Sequence, residues 1–140
     1  MTCTFFGNRN APNEIRSELE YVLTDLIENH SVEQFYVGNN GNFDRLVRGV
    51  LRDLQGRYPH IRYFVVLAYM PTHKSEEEDA ADTVFPDGLE SVPQKFAIAK
   101  RNEWMIARAH YVVTYVHAIG GAKQYRELAL KRKKTVIDLA

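Results

Sequence analysis

Residues 63–69 read Tyr63-Phe64-Val65-Val66-Leu67-Ala68-Tyr69, an unbroken apolar run rich in β-branched and aromatic side chains. A strand with one wet face alternates apolar and polar residues. A continuous run of this length instead suits a strand covered on both faces, as in parallel sheets flanked by helices. Working outward, four more strands are expected. Thr2 to Phe6 is closed by Gly7, and Gln34 to Val37 is closed by Gly38. Tyr111 to Val116 and Thr135 to Leu139 complete the set.

Helical patterns separate them. Ile15, Leu19, Val22, Leu23, Leu26 and Ile27 recur at spacings of three and four after Pro12 and Asn13. Leu46, Val47, Val50, Leu51 and Leu54 mark a second helix, which stops near Tyr58 because Pro59 disfavours helical geometry before it. A third runs from about Lys95 to Ala109, and a fourth follows Gly120-Gly121 through Leu130. Alternating strands and helices predict a single Rossmann-like α/β domain over residues 1–140. Its three layers enclose a mainly parallel, five-stranded sheet of order 3-2-1-4-5. Met70 to Gln94, with three prolines and the acidic cluster Glu76 to Asp79, reads as a long loop, a length often associated with function.

Composition narrows the function. Lys+Arg and Asp+Glu are 18 each, so there is no excess of positive charge on which a sequence-specific nucleic-acid binder or an electrostatic membrane binder would depend. No run approaches the ~20 apolar residues of a membrane span. A lone cysteine, Cys3, excludes an intrachain disulfide, and with no visible signal peptide it points to the cytoplasm. Near-zero net charge is compatible with a homo-oligomer. The five histidines show no ligand spacing with acids or with Cys3, so neither a metal nor a cofactor is expected.

In a parallel α/β sheet, ligands bind beyond the carboxyl ends of the strands where the winding reverses. The loops there are rich in glycine and asparagine. Gly7-Asn8-Arg9 joins a backbone that a ligand can approach closely to a guanidinium suited to phosphate or carboxylate. Gly38-Asn39-Asn40-Gly41, followed by Asn42-Phe43-Asp44, supplies left-handed conformations and amide donors. Asp44 there suits either a ribose hydroxyl or the helix N-terminus, and Asn42 suits a helix cap. The segment lacks the lysine and hydroxyl of a P-loop. Gly120-Gly121-Ala122-Lys123 opens a helix whose first amides are suited to phosphate, and His117 lies just before it.

Four segments together resemble the YpsA-like branch of the SLOG superfamily, which also contains the DprA and LOG proteins. They are Phe6-Gly7-Asn8-Arg9, Gly38 to Asp44, Ala97 to Ile106 and Gly120 to Lys123. The resemblance implies a Rossmann-like fold that binds nucleotides or nucleotide-derived ligands. LOG proteins hydrolyse nucleoside 5′-monophosphates to base and ribose phosphate. They use an arginine before strand four and a Pro-Gly-Gly-x-Gly-Thr-x-x-Glu segment after it. Arg101, Gly120, Gly121 and Glu127 match that pattern, whereas Ile119, Lys123 and Gln124 replace its proline, third glycine and threonine. The expectation is therefore a module that binds a phosphorylated nucleotide-type ligand as sensor, sequestering protein or regulator. One alternative is a LOG-like phosphoribohydrolase with Glu127 and Arg101 catalytic, the carboxylate stabilising an oxocarbenium-like state. The other is a ligand-free interaction protein that docks partners through its acidic loop.

Overall fold

The computed structural model describes residues 1–69, 82–117 and 120–139. Among them six strands form one parallel sheet: β1 (Thr2–Gly7), β2 (Gln34–Val37), β3 (Arg62–Val66), β4 (Asp82–Val84), β5 (Tyr111–Tyr115) and β6 (Thr135–Asp138). Their spatial order is β4-β3-β2-β1-β5-β6, and every neighbouring pair is parallel. Four helices accompany them: α1 (Arg16–Asn29), α2 (Gly41–Arg57), α3 (Gln94–Arg108) and α4 (Gly121–Lys131). None is long and apolar enough to cross a membrane.

Strand alternation decides which helix lies where. Phe5, Phe35, Val65 and Val113 point to one face and share a core with Leu19, Leu23 and Leu26 of α1 and with Val47, Val50 and Leu51 of α2. Their chain neighbours Phe6, Val66 and Val112 point to the other face. There they meet Met105 and Ile106 of α3 and Tyr125 and Ala129 of α4. Both faces are thus dry, as the unbroken apolar run required.

Two expectations are corrected. The sheet has six strands rather than five, because β4 adds an edge beyond β3 to the expected order. β4 lies within the stretch read as a loop. It is three residues long, and its exposed Asp82 and Thr83 leave no apolar pattern to detect. β3 itself ends at Val66. Leu67 and Ala68 stay buried past the strand, with the Leu67 amide donating to the Val84 carbonyl at 2.8 Å. The acidic cluster Glu76 to Asp79 lies outside the described residues. The chain builds β2 and β3 outward on one side of β1, then returns to build β5 and β6 on the other. The winding reverses between β1 and β5, and parallel sheets open a crevice at that point.

The β6 edge is fastened through Asp138. Its carboxylate takes two bonds from Arg126 of α4, at 2.7 and 2.6 Å, and a third from the Thr114 hydroxyl of β5. The Arg126 bonds, with help from Thr114, hold the Asp138 carboxyl below its usual range. A carboxyl whose pKa is depressed on folding stabilises the fold above its unfolded value, and that contribution fades as pH falls through the folded one. Asp138→Asn should therefore lower Tm at pH 7 by about 1–4 °C, since the pair is partly exposed to solvent. The difference from the parent should shrink steadily below pH ~4 in thermal melts followed by circular dichroism.

Candidate functional site

A cleft of about 320 Å³ opens beyond the carboxyl ends of β1 and β5, between the start of α4 and the flank of α3. Each expected loop contributes differently. The amide of Asn8 donates to the Tyr115 carbonyl (3.1 Å) and its side-chain oxygen accepts from the His117 amide (2.9 Å), so this residue ties the β1 loop to the β5 loop. The Asn8 amide nitrogen is left facing Gly120. Arg9 is exposed at the cleft wall, and its guanidinium makes no hydrogen bond or ion pair with the described residues. Its backbone is anchored instead, accepting a 2.7 Å bond from the Asn42 amide.

The glycines fall into two groups. Gly7 touches the cleft, but what excludes a side chain there is protein: a Cβ would stand 2.2 Å from the ring of Phe43, which lies buried across it. Gly41 has φ +87° and backs onto Arg9, whose Cα would be 2.6 Å from an added Cβ. Gly38 lies beneath Asp44 and Arg101, at 2.8 and 3.1 Å from the same hypothetical atom. Gly120 and Gly121 differ, because a Cβ at Gly121 would meet nothing within 4 Å and one at Gly120 only Asn8, at 3.8 Å. With Ala122 they line the cleft, and no side chain caps the helix they begin. First-turn amides left uncapped in this way present donors and a positive dipole end.

Arg101 reaches in from α3 and is 2% exposed. Its Nε donates to Asn102 at 2.8 Å, Nη1 to the Val66 carbonyl at 3.0 Å and to Asn39 at 3.4 Å, and Nη2 to Asn40 at 2.9 Å. Burial lowers its pKa, against the pull of Asp44, but a guanidinium starts so high that it stays cationic. Asp44, on the first turn of α2, accepts the Asn40 amide at 3.0 Å and lines the cleft. Burial pushes its carboxyl up, and the Asn40 amide and then the charges of Arg101, Arg48 and Arg9 oppose that shift.

Nine residues expected at the site line one cleft: Gly7, Asn8, Arg9, Asn40, Asp44, Arg101, Gly120, Gly121 and Ala122. The rest stand elsewhere. Gly38, Asn39 and Gly41 do not line the cleft, and the oxygens of this loop accept bonds from arginines: Asn39 and Asn40 from Arg101, and the Gly38 carbonyl from Arg48. Asn42 bonds Ala11 and Asn13 rather than capping α2, whose cap position is Asn40. His117 is exposed, with its ring stacked on Tyr115 at 4.5 Å. Lys123 and Glu127 are exposed on α4 and do not line the cleft.

The residues that sequence reasoning missed include Tyr125, which stacks on Phe6 at 5.3 Å, together with Ile98, Asn102 and Met105 of α3. A signal for Tyr125 was present in the spacing. Ala122, Tyr125 and Ala129 recur at three and four and mark the inner face of α4, and Glu127 lies about 200° round the helix from Tyr125. Among the described residues no cluster of His, Cys, Asp and Glu could hold a metal. The Cys3 thiol is buried, and burial raises its pKa far out of the nucleophilic range. No known family model matches the chain, and no curated protein matches it significantly.

Two substitutions test which contacts are structural. Gly7→Ala should destabilise the fold by about 1–3 kcal/mol through overpacking against Phe43. Arg101→Ala, which leaves the Val66 carbonyl and three asparagines without their donor, should cost at least about 2 kcal/mol. Urea denaturation followed by fluorescence of Trp104 measures both, and a parent-like midpoint for either would refute its structural role.

Proposed function

We propose that the cleft binds a phosphorylated nucleotide or nucleotide-derived molecule, so that the chain acts as a sensor, sequestering protein or regulator. One observation carries this reading: Arg9, whose guanidinium is unpaired among the described residues, and the uncapped N-terminus of α4 face the same cleft where the sheet winding reverses. Anions are favoured at such a helix end, and the open space over Gly120 and Gly121 lets a phosphate approach the backbone closely. The opposite wall is partly apolar, with Ile98, Met105 and Tyr125, and suits a base. The resemblance to the YpsA-like branch of the SLOG superfamily supports the same ligand class, and we place the chain there on its four matching segments.

Binding is favoured over LOG-like hydrolysis because Glu127 stands exposed on α4 rather than in the cleft. Incubation with AMP, GMP, CMP and UMP should therefore release no free base by chromatography. Base release that disappears in Glu127→Ala would make the protein a phosphoribohydrolase instead. For binding itself, calorimetric titration should show affinity for at least one nucleoside phosphate or ADP-ribose-like compound. Arg9→Ala should weaken it about ten- to a hundredfold, the usual loss for a charge-assisted hydrogen bond. Arg9 is the informative position because its guanidinium bonds nothing among the described residues. A flat titration across mono-, di- and dinucleotides would overturn the proposal.

A further inference from the structure

We infer that Asp44 makes the cleft a reader of the ribose cis-diol, so that the ligand is a ribonucleotide-type molecule and not its 2′-deoxy counterpart. The inference rests on the binding function proposed above and adds the sugar to it. Almost everything polar around the cleft is a donor: the Arg9 guanidinium, the Asn8 amide nitrogen, the α4 backbone amides and Arg101. Asp44 is the exception, the one acidic residue among the described residues of the wall. Its Oδ2 is occupied by the Asn40 amide. Its Oδ1 has no hydrogen-bond partner among the described residues. No buried side-chain oxygen or nitrogen there lacks a partner, so Oδ1 keeps some exposure, on a residue that lines the cleft.

An anionic acceptor repels phosphate, so the part of the ligand that reaches Asp44 must bring hydrogen-bond donors. A cationic donor is disfavoured, because Arg101, Arg48 and Arg9 all act on this carboxylate and already make the region positive. Neutral hydroxyls remain. The neighbour of Asp44 refines the choice. Four of the five N–H groups of Arg101 are committed to Asn102, Val66, Asn39 and Asn40, which leaves one on Nη2. Asp44 Oδ2 and Arg101 Nη1 both approach Gly38, at 2.8 and 3.1 Å from the place a Cβ would take. An acceptor, Oδ1, and a donor, Nη2, left over on two residues of the same wall suit a pair of adjacent hydroxyls, one giving its hydrogen to Oδ1 and the other accepting from Nη2. With one hydroxyl missing, a buried charged group is left unpaired, and sites of this kind reject the deoxy analogue strongly.

Calorimetry on the intact chain with matched pairs tests this: AMP and dAMP, GMP and dGMP, and ribose 5-phosphate and 2-deoxyribose 5-phosphate. Each ribo compound should bind about tenfold or more tightly than its deoxy partner. In Asp44→Asn the ratio should shrink toward one, while Glu127→Ala, on the outer face of α4, should keep it. The asparagine variant keeps an oxygen for the Asn40 amide but removes the charge that opposes Arg101, so circular dichroism verifies its fold before titration. Should that variant fail to fold, the pairs measured on the parent still decide. Equal affinity within each pair would overturn the inference while leaving the phosphate site standing. So would a ratio that persists in Asp44→Asn, or a preference that follows the base and ignores the sugar. Binding of none of these compounds would instead overturn the binding function on which the inference rests.

Discussion

A guanidinium withdrawn from water needs partners for nearly all of its N–H groups, and Arg101 finds them on separate segments of the chain. It holds the carbonyl at the end of β3, two asparagines of the loop after β2, and its own neighbour on α3. Asp44 at the start of α2 supplies opposing charge. One buried cation therefore fixes the relative positions of β3, the β2 loop, α2 and α3, and with them the floor of the cleft. The floor is expensive to disturb, because any segment that moves away leaves a buried polar group unsatisfied.

Rigidity below contrasts with openness above. Gly7, Gly38 and Gly41 are glycine because Phe43, the Asp44–Arg101 pair and the Arg9 backbone leave no room for a Cβ. Gly120 and Gly121 meet no such demand. The protein therefore spends three of its glycines on packing the floor and leaves two where the space is empty. The side chains facing that space are also those with least to do inside the protein: the Arg9 guanidinium, the Asn8 amide nitrogen and one oxygen of Asp44. Were a ligand to enter, donors and an acceptor already set on this floor would lose little entropy, and preorganisation of this sort contributes to affinity independently of area.

Unbroken apolar runs alternating with helical patterns made the α/β class legible. The run at 63–69 demanded cover on both faces, and Val65 and Val66 find it by pointing in opposite directions to different helix pairs. Loops at strand ends were legible too, because glycine, asparagine and arginine just past an apolar run leave few other readings. β4 was not legible: three residues with two exposed polar side chains carry no period, and an edge strand needs only one partner.

The order of elements, the two-sided cover of the sheet and the cluster of polar strand ends were all determined by local pattern, since periodicity and chain punctuation act over a few residues. Which polar groups would be used up inside the protein and which would be left open to the cleft was decided only by tertiary structure. Arg101 looks free in sequence but becomes a strut, because folding carries it 2% exposed into the reach of Val66, Asn39 and Asn40. Glu127 matches a motif in register yet turns outward, because the inner face of α4 belongs to Ala122, Tyr125 and Ala129. Residues separated by tens of positions compete for the same hydrogen-bond partners, and only their arrangement in space settles that competition.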